Sequence, residues 1–137
     1  RAAPALAAVT RSLPGLPVAI EQGDLCSSLG DSSARVLVSN PPYLTDAEYA
    51  ALDDSVRKWE PRRALASGVD GLAATNQLLR DGLRVVEPGG WLALEVDCRR
   101  AKAVAQSAFL HGWTEATVHD DFFGRARYVL ARRSETP

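Results

Sequence analysis

Two unbroken apolar runs constrain this chain most: "VLVS" at 36–39 and "WLALEV" at 91–96. A half-exposed strand alternates apolar and polar residues. A continuous run bounded by turn residues is the pattern of a strand covered on both faces, as in a parallel sheet. Parallel strands need a crossover, and the residues between the runs provide one. Leu72, Leu79, Leu83 and Val86 stand at intervals of seven, four and three, a stripe that predicts an amphipathic helix over 72–86, ended by "EPGG". Ala101, Val104, Ala105 and Ala108 mark a second helix, stopped at Gly112. "VAIEQGDL" (18–25) predicts a short strand, and "WTEATVHD" and "ARYVLARR", joined by "DFFGR", a terminal antiparallel pair. Ala2 to Val9 read as the tail of an alanine-rich helix closed by "SLPGLP"; Thr45 or Asp46 caps a short helix, and "EPRRALASGVDG" (60–71) is loop. This order predicts an α/β layered fold, mostly parallel, with a C-terminal antiparallel hairpin.

The first run ends in Asn40, Pro41, Pro42 and Tyr43. Ligands of open α/β sheets bind in the crevice beyond the carboxyl ends of the strands, so Asn40 and Asp24 both fall on the functional rim. Each proline locks its own φ and biases the preceding residue toward extended geometry, while offering no N–H. The corner therefore presents acceptors, the Asn40 side-chain oxygen and the Pro41 carbonyl. Two acceptors at a fixed spacing suit the two hydrogens of a planar NH2 group. Binding both would turn the nitrogen lone pair toward whatever lies opposite, and Tyr43 can lie flat against such a group.

Composition narrows the partners. With Lys+Arg 16 against Asp+Glu 17, the net charge is −1. A chain devoted to nucleic acid carries a basic surplus, so nucleic acid is disfavoured as the main partner. Apolar residues at 46% and charged residues at 24% describe a globular chain of one domain. No apolar run approaches the ~18–20 residues that cross a bilayer, so no membrane partner is expected. Pro4 and Thr10 interrupt "RAAPALAAVT", which is read as helix and not as a signal peptide. Cys26 and Cys98 lie in no metal-type spacing; they predict free thiols, a cytoplasmic location and no metal.

The segments "EQGDL", "VLVSNPPYLTD", "WEPRRALASGVDGL", "EPGGWLALEV" and "DDFFGRARYVLARR" together resemble class I S-adenosylmethionine-dependent methyltransferases. Among these they are most similar to the protein-(glutamine-N5) methyltransferases of peptide chain release factors. The Asn-Pro-Pro-Tyr tetrapeptide serves both glutamine and adenine methylation; the "EPRRAL" to "DGL" segment points to the glutamine enzymes. The resemblance implies a Rossmann-like sheet and S-adenosyl-L-methionine as cofactor. It implies that Asn40 and Pro41 receive the glutamine amide of a Gly-Gly-Gln loop, with Pro42 and Tyr43 shaping the slot. Asp24 matches the acidic contact to the cofactor adenine, Leu25 falls where relatives place an aromatic residue beside it, and Asn40 borders the cofactor too. The family's glycine-rich loop and ribose-binding acid match nothing before the Asn-Pro-Pro-Tyr strand. Residues 1–137 are thus expected to be the C-terminal portion of one catalytic domain inside a longer gene product, with the N-terminal strands missing and weak cofactor binding in isolation. The alternatives are an adenine amino-methyltransferase or a non-catalytic interaction module.

Other residues are read as structural. Trp59, Trp91 and Trp113 are expected to pack, and Phe122–Phe123 to be buried under the hairpin. His111 precedes a helix-ending glycine, where an imidazole suits the helix dipole, and neither it nor His119 is assigned to catalysis.

Overall fold

The computed structural model describes residue 15 and residues 17–136; the helix expected over 2–9 lies outside them. Four strands, β1 (Ala34–Ser39), β2 (Val86–Glu95), β3 (Glu115–Asp120) and β4 (Ala126–Arg132), form one sheet in the order β1-β2-β4-β3. Three short helices, α1 (Asp46–Ala50), α2 (Asp54–Trp59) and α3 (Arg62–Leu65), follow β1. The longer α4 (Ala73–Val85) leads into β2, and α5 (Ala101–His111) leads into β3.

β1 and β2 are parallel, with Val36 opposite Trp91 and Ser39 opposite Leu94. β2–β4 and β3–β4 are antiparallel. The sheet is mixed because the hairpin folds its second strand back against β2. α4 is the crossover, as expected for two parallel strands.

The core lies between the sheet and the pair α4 and α5. Leu92 and Leu94 of β2 and Val129 and Ala131 of β4 point into it, alternating along their strands as the pleat requires. They meet Leu78, Leu79 and Val85 of α4 and Ala101, Val104 and Ala108 of α5. All four residues of the predicted alanine–valine stripe are buried, and α5 stops at Gly112, whose φ is 104°. Trp113 seals the helix pair: its indole N–H donates to the Leu79 carbonyl at 2.8 Å. A Cβ on Gly82 would sit 3.1 Å from that ring, so a glycine inside α4 admits the indole.

Several expectations are corrected by the fold. Residues 18–25 form no strand, because among the described residues no neighbouring strand offers them a ladder. β2 begins at Val86, so "EPGG" belongs to the strand, and the β1–β2 register slips between Ala34 and Val36. The loop expected at 60–71 contains the single turn α3. Trp59 is 85% exposed, and Phe122 and Phe123 stand out at the tip of the hairpin instead of beneath it. The unbroken apolar run of β1 is covered on one side only. Val36 and Val38, at 55% and 73% exposure, face away from the helices with no described layer over them. On that face Val38, Asn40, Ala93, Glu95, Tyr128 and Leu130 line an apolar trough of about 470 Å³.

Candidate active site

Because β1 and β2 run parallel, their carboxyl ends, Ser39 and Glu95, share one rim. Asn40 leaves β1 exposed there, Pro41 is buried, and Pro42 and Tyr43 are half-buried. No hydrogen bond among the described residues engages the Asn40 side chain or the Pro41 carbonyl.

The residues on the C-terminal side of the corner add to its stiffness. Leu44 pairs in parallel with Ala66. The Leu44 N–H donates to the Leu65 carbonyl (2.9 Å), the Ser67 N–H to the Leu44 carbonyl (2.8 Å) and the Asp46 N–H to the Gly68 carbonyl (2.9 Å). The "ALASG" part of the "EPRRALASGVDGL" segment is thus the other half of a miniature ladder. Thr45 caps α1 reciprocally: its hydroxyl accepts the Glu48 N–H (3.1 Å) while Glu48 Oε2 accepts the Thr45 N–H (2.8 Å). Arg62 binds Asp46 at 2.7 Å and lies 5.9 Å over the Tyr49 ring, so it serves this brace. Glu60 is exposed.

Two clefts meet at Pro42. A narrow one of about 130 Å³ is lined by Asn40, Pro41, Pro42, Tyr43, Ala64 and Leu65. A wider one of about 320 Å³ is lined by Asp24, Leu25, Pro42, Arg63, Ser67 and Gln77. Asp24 is exposed, and its N–H donates to Ser27 Oγ at 2.9 Å. Leu25 has a φ of 48°, a left-handed conformation uncommon for a branched residue and concentrated at functional sites. In the wider cleft the Asp24 carboxylate is a free-standing acceptor type and Leu25 and Pro42 are apolar walls, a pairing that could hold a flat ring bearing an amine.

A dense ion network backs the corner. Glu48 also accepts from Arg100 Nη2 (2.9 Å) and contacts Arg99 Nη2 (2.7 Å). The Thr45 N–H, then Arg100, hold the Glu48 carboxyl down at about 2. Arg99 grips Asp97 through Nε and Nη2, at 2.9 and 2.8 Å, and holds that carboxyl at about 2 as well. Sequence reasoning missed Glu48, Asp70, Gly71, Asp97, Arg99 and Arg100. The Thr45-x-x-Glu48 capping box was readable; the contact between Glu48 and Arg100 spans 52 residues and left no local signal. His111 Nδ1 meets the Ser107 carbonyl at 2.8 Å and His119 Nε2 the Thr117 hydroxyl at 2.9 Å. Cys98 is exposed and Cys26 buried, where desolvation pushes its thiol up. Among the described residues no His, Cys, Asp and Glu cluster could hold a metal, and no helix is long and apolar enough to cross a membrane.

No family model matches the chain. Individual proteins do. It is 40% identical over 129 residues to the release factor glutamine methyltransferase of Deinococcus radiodurans, covering 94% of this chain and 45% of that protein. It is 39% identical over 112 residues to the enzyme of the same name from Caulobacter vibrioides, covering 82% and 39%. The chain is a relative of the release factor glutamine methyltransferases. It spans less than half the length of these curated relatives. The fold agrees: the E. cuniculi complex responsible for methylating the eRF1 translation termination factor superposes with a TM-score of 0.55 at 22% identity. That match covers 93% of this chain and 67% of the other. A Pyrococcus furiosus methyltransferase superposes with a TM-score of 0.50 at 16% identity, covering 76% and 43%. The mixed sheet with helices is therefore the Rossmann-like α/β fold of methyltransferases.

Proposed function

We infer that residues 1–137 form the C-terminal, acceptor-holding portion of a cytoplasmic S-adenosyl-L-methionine-dependent methyltransferase catalytic domain. Its substrate is the side-chain amide nitrogen of a glutamine in the Gly-Gly-Gln loop of a peptide chain release factor. The observation that carries this reading is the Asn40–Tyr43 slot, whose two acceptors have no partner among the described residues and whose Pro42 is also a wall of the Asp24–Leu25 cleft.

When bound, the cofactor would supply an electrophilic methyl group; Asp24 and Leu25 would hold its adenine end, and Asn40 would border it. An amide nitrogen is a weak nucleophile because its lone pair is delocalised into the carbonyl. Asn40 Oδ1 and the Pro41 carbonyl accept its two hydrogens and fix the plane in which it reacts. Pro42 and Tyr43 close the slot around the flat group and exclude water. Held so by Asn40 and Pro41, the nitrogen would face the methyl group that the bound cofactor would supply, and its proton would leave to solvent after the transfer. Orientation and approach are then the main levers, and they are able to supply several kcal/mol. No covalent enzyme intermediate is involved.

The test uses the full-length gene product, labelled cofactor, and release factor or duplex DNA in parallel. Label should enter release factor, and Asn40→Ala should lower turnover while cofactor affinity stays within a few-fold. Label in DNA alone would replace the glutamine reading with adenine amine methylation, and an unchanged Asn40→Ala turnover would remove Asn40 from the mechanism.

A further inference from the structure

Arg100 reaches the corner from the loop after β2. It is the residue before α5, and its side chain is 16% exposed. Nε donates to the Asp70 carbonyl (3.1 Å) and Nη2 to Glu48 Oε2 (2.9 Å). Nη1 is buried with no hydrogen-bond partner among the described residues, 3.5 Å from Asp97 Oδ2. Between Arg100 and the slot lies Gly71, buried with a φ of 74°. A Cβ on Gly71 would stand 2.4 Å from the Tyr43 carbonyl oxygen and 3.2 Å from Arg100 Nε. The guanidinium, Gly71 and the last residue of the acceptor slot are thus stacked in direct succession.

We propose that Arg100 is a positioning residue that sets the acceptor slot from behind, through Gly71 on the Tyr43 carbonyl and through Glu48 on the Thr45 cap. The role rests on the proposed function of that slot. Only a planar fork reaches the Asp70 carbonyl and the Glu48 carboxylate at once; a lysine ammonium is a point charge and holds one of the two. Glu48 and Asp97 face the guanidinium, at 2.9 and 3.5 Å, and offset the cost of burying it. If the network merely stabilised the fold, its loss would loosen the sheet and the slot together. A positioning role loosens the slot alone.

That difference is measurable in the full-length protein. In Arg100→Gln, amide hydrogen exchange at Leu44, Asp46 and Ser67, the three donors of the miniature ladder, should accelerate by roughly tenfold or more, while Leu92, Leu94 and Val129 stay within about twofold. Turnover should fall by about 10- to 100-fold, the range expected when reacting groups shift by up to an ångström, with cofactor affinity within about threefold. Arg100→Lys should recover only part of the rate. Glu48→Gln, which keeps the cap and deletes the charge, should show the same local exchange pattern, and it decides the matter if Arg100→Gln fails to fold. Unchanged exchange at the three amides, or acceleration spread evenly through β2 and β4, overturns the proposal. Exchange needs no substrate, so a wild-type protein that leaves release factor unlabelled refutes the proposed function and not the positioning role.

Discussion

Replacing Gly71 with alanine separates two consequences of one methyl group. The first is conformational: at a φ of 74° an L-residue adopts the left-handed region at about 1–2 kcal/mol. The second is steric. The new Cβ would lie 2.4 Å from the Tyr43 carbonyl oxygen, against an ordinary contact of at least 3.4 Å, so the two must separate by about 1 Å. Backbone and not a flexible side chain has to yield, and the carbonyl belongs to the slot itself. A shift of that size at a reacting centre costs on the order of 100-fold in rate. Gly124→Ala, at the tip of the hairpin, is the control. Its φ is 73° and its Cβ would meet nothing within 4 Å, so it carries the conformational cost without displacing the slot. In the full-length protein Gly124→Ala should lose roughly 2–8 °C in Tm, and Gly71→Ala at least as much. Gly71→Ala alone should lose turnover, measured as methyl transfer to release factor per folded molecule. Wild-type turnover in Gly71→Ala, or equal loss in Gly124→Ala, would show that the Tyr43 carbonyl does not position the acceptor.

Trp113→Phe removes the indole N–H from the Leu79 carbonyl and leaves space beside Gly82. It should cost about 1–3 kcal/mol in denaturant titration, whereas Trp59→Phe, at an 85% exposed position, should stay within about 0.5 kcal/mol. Acid should act through Glu48 and Asp97. Their carboxyls sit at about 2 in the folded protein, below ordinary values of 4.5 and 3.8. Their stabilisation is therefore fully present above pH 4.5 and fades as pH falls from there toward 2. Thermal unfolding against pH should show a shallower acid decline in Glu48→Gln than in wild type; parallel curves would mean that the carboxylate contributes nothing there.

The helices and the hairpin were legible because their signals are local. The Ala101–Ala108 stripe repeats with the helical period, and the two strand runs around "DFFGR" sit a turn apart. The stiffness of the proline corner was legible for the same reason: adjacent prolines act on their own dihedrals whatever surrounds them. Residues 18–25 misled because a strand is a relation between chains of atoms. Their β-forming composition finds no partner among the described residues. Phe122 and Phe123 misled because hydrophobicity states a preference and not a location; the tight turn projects both beyond the sheet's last residues.

Sequence alone therefore determined the two longer helices, the four strands, the stiff proline corner and the likeness to methyltransferases, all carried by short segments of the chain. Tertiary structure alone decided what holds that corner: the pairing of Leu44 with Ala66, the pressing of Gly71 onto Tyr43, and the reach of Arg100 to Glu48. Those contacts join residues 22 to 52 positions apart in the chain. No short-range pattern encodes such a meeting, because it depends on how the crossover helix and the sheet bring distant segments to the same rim.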